Sequence, residues 1–159
     1  MNKTKVLFVC LGNICRSPLG EGIFKHKVKA LGKADSFQVD SCGTGSYHVG
    51  GLPDPGSIKV AEENELDITD QRARQLNVKD LQDYDYILAM DRSNLSNIKR
   101  LGSTKAKLKL LRDYDPVKNR SPDVPDPYGM GYNGFQDVYQ IIDECLEVFI
   151  DEELQLTHP

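Results

Sequence analysis

The chain has 159 residues, 39% of them hydrophobic and 28% charged, with a formal net charge of −4 and a pI near 5.4. That length and balance describe a single globular domain, residues 1–159, with room for a real core, and argue against a disordered or two-domain chain. The acidic surplus argues against a nucleic-acid-binding face, and the apolar run after Lys3 and Lys5 is too short for a signal segment or a membrane span, so the expected compartment is the cytoplasm.

Apolar runs alternate with helical periodicity along the chain, the sequence sign of βαβ units around a parallel sheet. A first strand is predicted near Lys5–Val9, a continuous apolar run of the kind buried on both faces. A helix follows from Ser17, with Leu19, Ile23, Phe24, Val28 and Leu31 on one face before Gly32 ends it. The second strand falls near Phe37–Ser41, and a further helix starts at Asp54-Pro55. The third strand is expected near Tyr86–Met90, with Asp91 capping a helix through Leu101, and the fourth near Ala106–Leu111. The stretch from Arg112 to Gly134 is rich in Asp, Pro, Gly and Asn and lacks periodicity, and its length points to function more than to connection. Val138, Ile141, Ile142, Cys145 and Phe149 then give the last helix a core-facing stripe, which makes Cys145 a core residue. In open sheets of this kind ligands bind beyond the carboxyl ends of the strands, where Cys10, Ser41 and Asp91 fall.

The chemistry is concentrated in Cys10-Leu11-Gly12-Asn13-Ile14-Cys15-Arg16-Ser17-Pro18. A buried strand that ends in a Gly-containing loop and feeds a helix aims successive N–H groups, and the positive end of the helix dipole, at one point. The backbone from Leu11 to Arg16 is therefore expected to hold an anion. Cys10 faces the same field, which favours thiolate over thiol. Arg16 can grip two oxygens of a tetrahedral phosphate through its planar fork, which a lysine cannot. Gly12 permits a left-handed or closely packed backbone, Ser17 is placed to cap the helix, and Pro18 fits its first position, where no N–H is needed. Asn13 tolerates left-handed geometry and can brace the loop with its side chain. The Ser17 hydroxyl can also donate to the Cys10 sulfur. The bland alternative is a strand–turn–helix with a buried cysteine and a surface arginine.

VCLGNICRSP, together with VPDPYG at Val124 to Gly129, resembles the low-molecular-weight protein tyrosine phosphatases. Between those motifs DSCGTGSYHVG (Asp40 to Gly50), PDP (Pro53 to Pro55), ARQL (Ala73 to Leu76) and YILAMDRSNL (Tyr86 to Leu95) resemble the same family in order and spacing. The resemblance implies a flavodoxin-like three-layer sandwich, a four-stranded parallel sheet with helices on both faces. It implies hydrolysis of phosphotyrosine and small aryl phosphates through a phosphocysteine intermediate, without metal or cofactor, in phosphotyrosine-containing protein substrates. Phosphate and vanadate-like oxyanions would inhibit.

By the same resemblance Asp126 is the acid that protonates the departing phenolate, although Asp-Pro read alone is a turn. Ser41 and Gln71 resemble network residues that brace Asn13 and Ser17, Gln71 standing where many relatives carry histidine. Asp91 resembles the carboxylate that orients the active-site arginine, a position that helix capping explains equally well. Tyr47 and Tyr128 resemble aromatic walls that flank the substrate ring. His26, His48 and His158 are scattered, and surface or rim positions are expected for them, with His48 beside Tyr47 able to touch substrate.

The four cysteines, Cys10, Cys15, Cys42 and Cys145, lack CxxC or Cys/His ligand spacing, which disfavours a structural zinc site and fits reduced thiols. Cys15 follows Cys10 by five residues, so spacing leaves it either a small buried filler or a thiol that captures an oxidised Cys10 as a disulfide. The resemblance favours the redox role. Three other readings are arsenate reduction, phosphoarginine hydrolysis and a nonenzymatic phosphate-binding or redox module. The first needs relay cysteines that the Asp80–Arg92 stretch lacks. The second is disfavoured by Ile14, where related enzymes carry threonine. The third sits poorly with Cys10, Arg16 and Asp126 occurring together.

Overall fold

Val6 to Val9 have no solvent exposure because strand β1 (Thr4–Cys10) runs through the middle of the sheet and is covered on both faces. The computed structural model describes residues 2–156. In it β1 pairs in parallel with β2 (Phe37–Gly43) on one side and β3 (Tyr86–Ala89) on the other, and β3 pairs with β4 (Lys107–Leu110). The sheet order is β2-β1-β3-β4, a flavodoxin-like arrangement. All four predicted strands are present, each within two residues of its expected ends.

The twofold alternation of a strand sorts the core into two layers. Val6, Phe8 and Cys10 face helices α1 (Arg16–Ala30), α2 (Pro55–Glu63) and α5 (Tyr132–Val148). Leu7 and Val9 face the opposite layer, with Leu81 of α3 (Val78–Asp83) and Ile98 of α4 (Arg92–Leu101). Cys145 is fully buried in the first layer, as its place in the α5 stripe predicts, whereas Ile141 is only half-buried.

Three local differences have identifiable causes. Helix α1 begins at Arg16, with Cys15 at the N-cap and no side-chain cap, because the Ser17 hydroxyl is turned inward to Cys10 and Asn13. Pro18 still lies in the first turn, where its missing N–H has no intrahelical partner. Helix α3 has no counterpart among the predicted elements. Its signal is Asn77 and Asp80, whose side chains each bond the other's backbone N–H in a capping box. The long loop is shorter than Arg112–Gly134, since Leu111–Tyr114 form a 3-10 turn and α5 starts at Tyr132.

The chain leaves β1, returns through α1 to β2 on one side, then crosses to β3 on the other. The crevice between the carboxyl ends of β1 and β3 is therefore the switch point where an open α/β sheet binds its ligand. Cys10 ends β1 at that crevice, and Asp91 follows β3 there.

Candidate active site

The loop after β1 is held by its carbonyl groups. Cys10 O and Leu11 O accept from Thr44 N and Gly45 N, each at 2.9 Å; Ile14 O accepts from Asp54 N at 2.8 Å, and Cys15 O from the Ser57 hydroxyl at 2.9 Å. With the carbonyls drawn outward, the N–H groups of residues 11–16 find no carbonyl partner among the described residues. That is the arrangement of an anion cradle. Gly43 makes the curl possible, because a Cβ there would stand 2.7 Å from Leu11 O and 3.1 Å from Asn13 N.

The left-handed residue of the loop is Asn13, at φ 56°, while Gly12 has no positive φ and is instead the point where His48 approaches. Asn13 is 3% exposed and spends its amide on both sides. Its Nδ2 donates to Ser17 Oγ at 2.8 Å and to Ser41 Oγ at 3.0 Å, and its Oδ1 accepts from Arg74 N at 3.0 Å. Ser17 Oγ stands 3.0 Å from Cys10 Sγ. That oxygen already accepts from Asn13, and its own proton has two acceptors in reach, the Cys10 sulfur and, at the longer distance of 3.4 Å, the Cys42 carbonyl.

The expected network is thus present except at one position. Gln71 makes no hydrogen bond to Asn13 or Ser17: its Nε2 donates to Pro18 O at 3.1 Å, and its Oε1 is buried without a hydrogen-bond partner. The residue that completes the network is Glu21, which accepts the Ser41 hydroxyl at 2.7 Å and pairs with Lys25. Burial drives the Glu21 carboxyl above its ordinary range, against the pull of Lys25 and Ser41. Its signal in the sequence was an acid one turn beyond Ser17, interrupting an apolar helix face.

Arg16 is 3% exposed and anchored at a single nitrogen, Nη1, which donates to Asp91 Oδ2 at 2.7 Å and to Val124 O at 2.9 Å. Burial by itself would lower its pKa, but the Cys10 sulfur and the Asp91 carboxylate raise it further, so the cation persists. Asp91 performs both tasks the sequence allowed it, since its second oxygen caps α4 at Asn94 N, 2.7 Å away. Burial, and then Asp54 and Asp126, push the Cys15 thiol up, so it stays protonated next to the cradle.

The loop opens into a cleft of about 380 Å³, within the range of small-ligand pockets. Cys10, Leu11, Gly12, Ile14, Cys15 and Arg16 form its floor and sides, and Tyr47, His48, Asp126 and Tyr128 reach it from the rim. Asp126 is exposed, and its Oδ1 accepts from Tyr128 N at 3.1 Å, which fixes the acid beside the aromatic ring. Tyr47 and Tyr128 are 76% and 66% exposed, walls open to solvent on one side. His26 lies on the exposed face of α1 away from this cleft, and His158 is outside the described residues.

Comparison with known proteins agrees with this geometry. The sequence profile described as low molecular weight phosphotyrosine protein phosphatase matches residues 5–158. A fission yeast (Schizosaccharomyces pombe) protein of that name is 46% identical over 143 residues, covering 87% of this chain and 90% of the relative. The protein tyrosine phosphatase of Entamoeba histolytica, solved with Hepes in its active site, superposes with a TM-score of 0.90 at 32% identity, over 96% of this chain and 98% of the other. A Drosophila arginine phosphatase superposes with a TM-score of 0.88 at 35% identity, over 94% and 98% of the two chains. The 3.0 Å approach of Ser17 to Cys10, the buried Arg16 and the match over nearly the whole length lead to one assignment: the chain belongs to the low molecular weight phosphotyrosine protein phosphatase family.

Proposed function

We propose that the chain, acting as a single domain, hydrolyses phosphotyrosine in proteins through a phosphocysteine intermediate. The observation that carries this reading is the convergence of Cys10, Arg16 and Asp126 on one cleft whose floor is a ring of backbone N–H donors. With Nη1 of Arg16 committed to Asp91 and Val124, the Nε–Nη2 edge is left to grip two phosphate oxygens in a bidentate fork. The Cys10 thiolate attacks phosphorus in line, the P–O bond to the phenol breaks, and Asp126 gives its proton to the leaving oxygen. In the second step Asp126, now a carboxylate, takes a proton from water as that water displaces the Cys10 sulfur. The Ser17 hydroxyl stabilises the departing thiolate. Arg16 and the loop amides hold the equatorial oxygens throughout, where preorganised donors act most strongly.

The cleft is deep at Cys10 and aromatic at its rim, which suits an aryl phosphate, since a shorter phosphoserine would leave its phosphorus above the sulfur. Ile14 lines the cleft where related phosphoarginine enzymes carry the smaller threonine, which favours the tyrosine ester as substrate and makes the phosphoguanidine the discriminating control. The partners are phosphotyrosine-bearing proteins of the cytoplasm, not nucleic acids, and phosphate or vanadate should compete for the cradle. The test is turnover of matched phosphotyrosine, phosphoserine and phosphoarginine peptides, with acid quench and intact mass to trap phosphate on Cys10. Preferential turnover of the arginine peptide, or no covalent adduct, overturns the proposal.

The same loop supports redox protection. Peroxide converts the Cys10 thiolate to a sulfenic acid; Cys15, whose raised pKa slows this step, gives up its proton and attacks that sulfur, the hydroxyl leaving with the proton as water, to give a disulfide that thiols can reduce. After peroxide and then dithiothreitol, wild type should recover activity and Cys15→Ser should not; equal recovery would assign Cys15 to packing.

A further inference from the structure

A second groove, of about 400 Å³, adjoins the cleft and shares two of its walls, Leu11 and Tyr47. Its far side is the last turn of α4, where Asn97, Arg100 and Leu101 line it. The partition is a built feature. A Cβ on Gly45 would come within 2.5 Å of Tyr47 Cε2, so the ring lies directly against the Gly45 backbone and stands between the two cavities. Leu11 is 42% exposed beside it, although the backbone of Leu11 belongs to the anion cradle.

The groove reverses the sign of the molecule. In a chain with net charge −4, it has one cation, Arg100, and no carboxylate in its lining. Arg100 reaches Asn97 Oδ1 only through a long 3.4 Å hydrogen bond, so most of its donors face outward. Leu11, Tyr47 and Leu101 supply apolar walls on which the stem of a longer acidic side chain can lie.

We infer that this groove receives an acidic side chain of the substrate polypeptide, two residues from the phosphotyrosine, with Arg100 as its partner. The inference rests on the phosphatase reading above. In an extended peptide residues i and i+2 point to the same side about 7 Å apart. That spacing suits two slots divided by a wall one side chain thick. Tyr47 then contacts the phosphotyrosine ring with one side and the flanking residue with the other, and so links catalysis to sequence preference.

The test compares kcat/KM for phosphotyrosine peptides carrying Glu or Lys two positions to either side, with p-nitrophenyl phosphate measured alongside. Wild type should prefer the Glu peptides by about two- to fivefold, the scale of an exposed ion pair. Arg100→Glu should invert the preference and Arg100→Ala should erase it. Lys33→Glu changes the net charge equally but lies beyond the far end of α1, about 22 Å of helix from the loop. It should keep the wild-type ratio. Equal rates for Glu and Lys peptides in wild type, or a ratio that moves as much with Lys33→Glu as with Arg100→Glu, would overturn the groove assignment. Failure of wild type to hydrolyse p-nitrophenyl phosphate and every peptide would instead overturn the phosphatase reading.

Discussion

The cleft is assembled from two regions of opposite character. The loop from Cys10 to Ser17 is buried except where it lines the cleft, at Leu11, Gly12 and Ile14; Asn13, Arg16 and Ser17 are each at or below 3% exposure, and four of its carbonyls are tied to the segments at Thr44–Gly45 and Asp54–Ser57. The segment from Asp115 to Gly131 is mostly exposed, with Val124 and Pro127 as its buried pegs. It is held at Val124, whose N–H bonds Met90 O at 2.8 Å and whose carbonyl accepts from Arg16, and at Asp123, which pairs with Arg92. A phosphate cradle must be shaped before substrate arrives, because donors that reorganise during reaction lose most of their effect. A proton donor needs only to reach one oxygen, and an exposed loop can do that while admitting a bulky protein substrate.

That contrast makes graded predictions. Cys10→Ser should abolish turnover while vanadate binding, measured by calorimetry, persists, because the cradle amides do not depend on sulfur. Residual wild-type turnover would remove Cys10 from its role. Asp126→Asn should slow hydrolysis of poor leaving groups by about 10²–10⁴-fold, the scale of general acid catalysis, and much less for activated aryl phosphates. A loss independent of leaving group would place the acid elsewhere. Arg16→Lys should reduce kcat by about 10²–10³-fold despite the retained charge, and equally for good and bad leaving groups, since it removes donors from the phosphoryl group itself. Dependence on the leaving group in this variant would blur the division between cradle and loop.

The smallest effect should come from Glu21, behind the cradle. Its folded-state pKa is raised by burial, so the folded chain holds that proton more tightly than the unfolded chain does. Stability from this source is complete below the ordinary glutamate value of about 4.3 and falls as pH rises towards the raised value. Tm of wild type should therefore decline relative to Glu21→Gln across that window. Parallel Tm curves would show that Glu21 does not titrate with folding.

The loop motif was readable because its chemistry is local. A strand, a curl and a helix within nine residues dictate where the N–H groups, the thiol and the guanidinium meet, and the apolar run of β1 announces a strand covered on both faces. Asn13 was legible as the left-handed residue for the same reason, since the preference lies in its own side chain. Of the two roles read for Ser17, contact with the Cys10 sulfur is observed and the cap is not, because Cys10 and Asn13 hold the hydroxyl inside the loop, and local sequence does not say which role wins.

What sequence alone determined, then, is the architecture and the floor of the candidate site: a parallel α/β sheet with a cysteine, a curl of backbone N–H groups and an arginine at the carboxyl end of its first strand. Tertiary structure decided the rest. Asp126 and Asp91 lie far along the chain from Cys10, and only the crossover from β2 to β3 brings them to the crevice. The same holds for Glu21 in place of Gln71, for Val124 O on Arg16, and for the Arg100 groove beyond Tyr47. Such pairings depend on which turn of a helix faces which strand end, and that is fixed by packing across layers, which no local pattern of residues encodes.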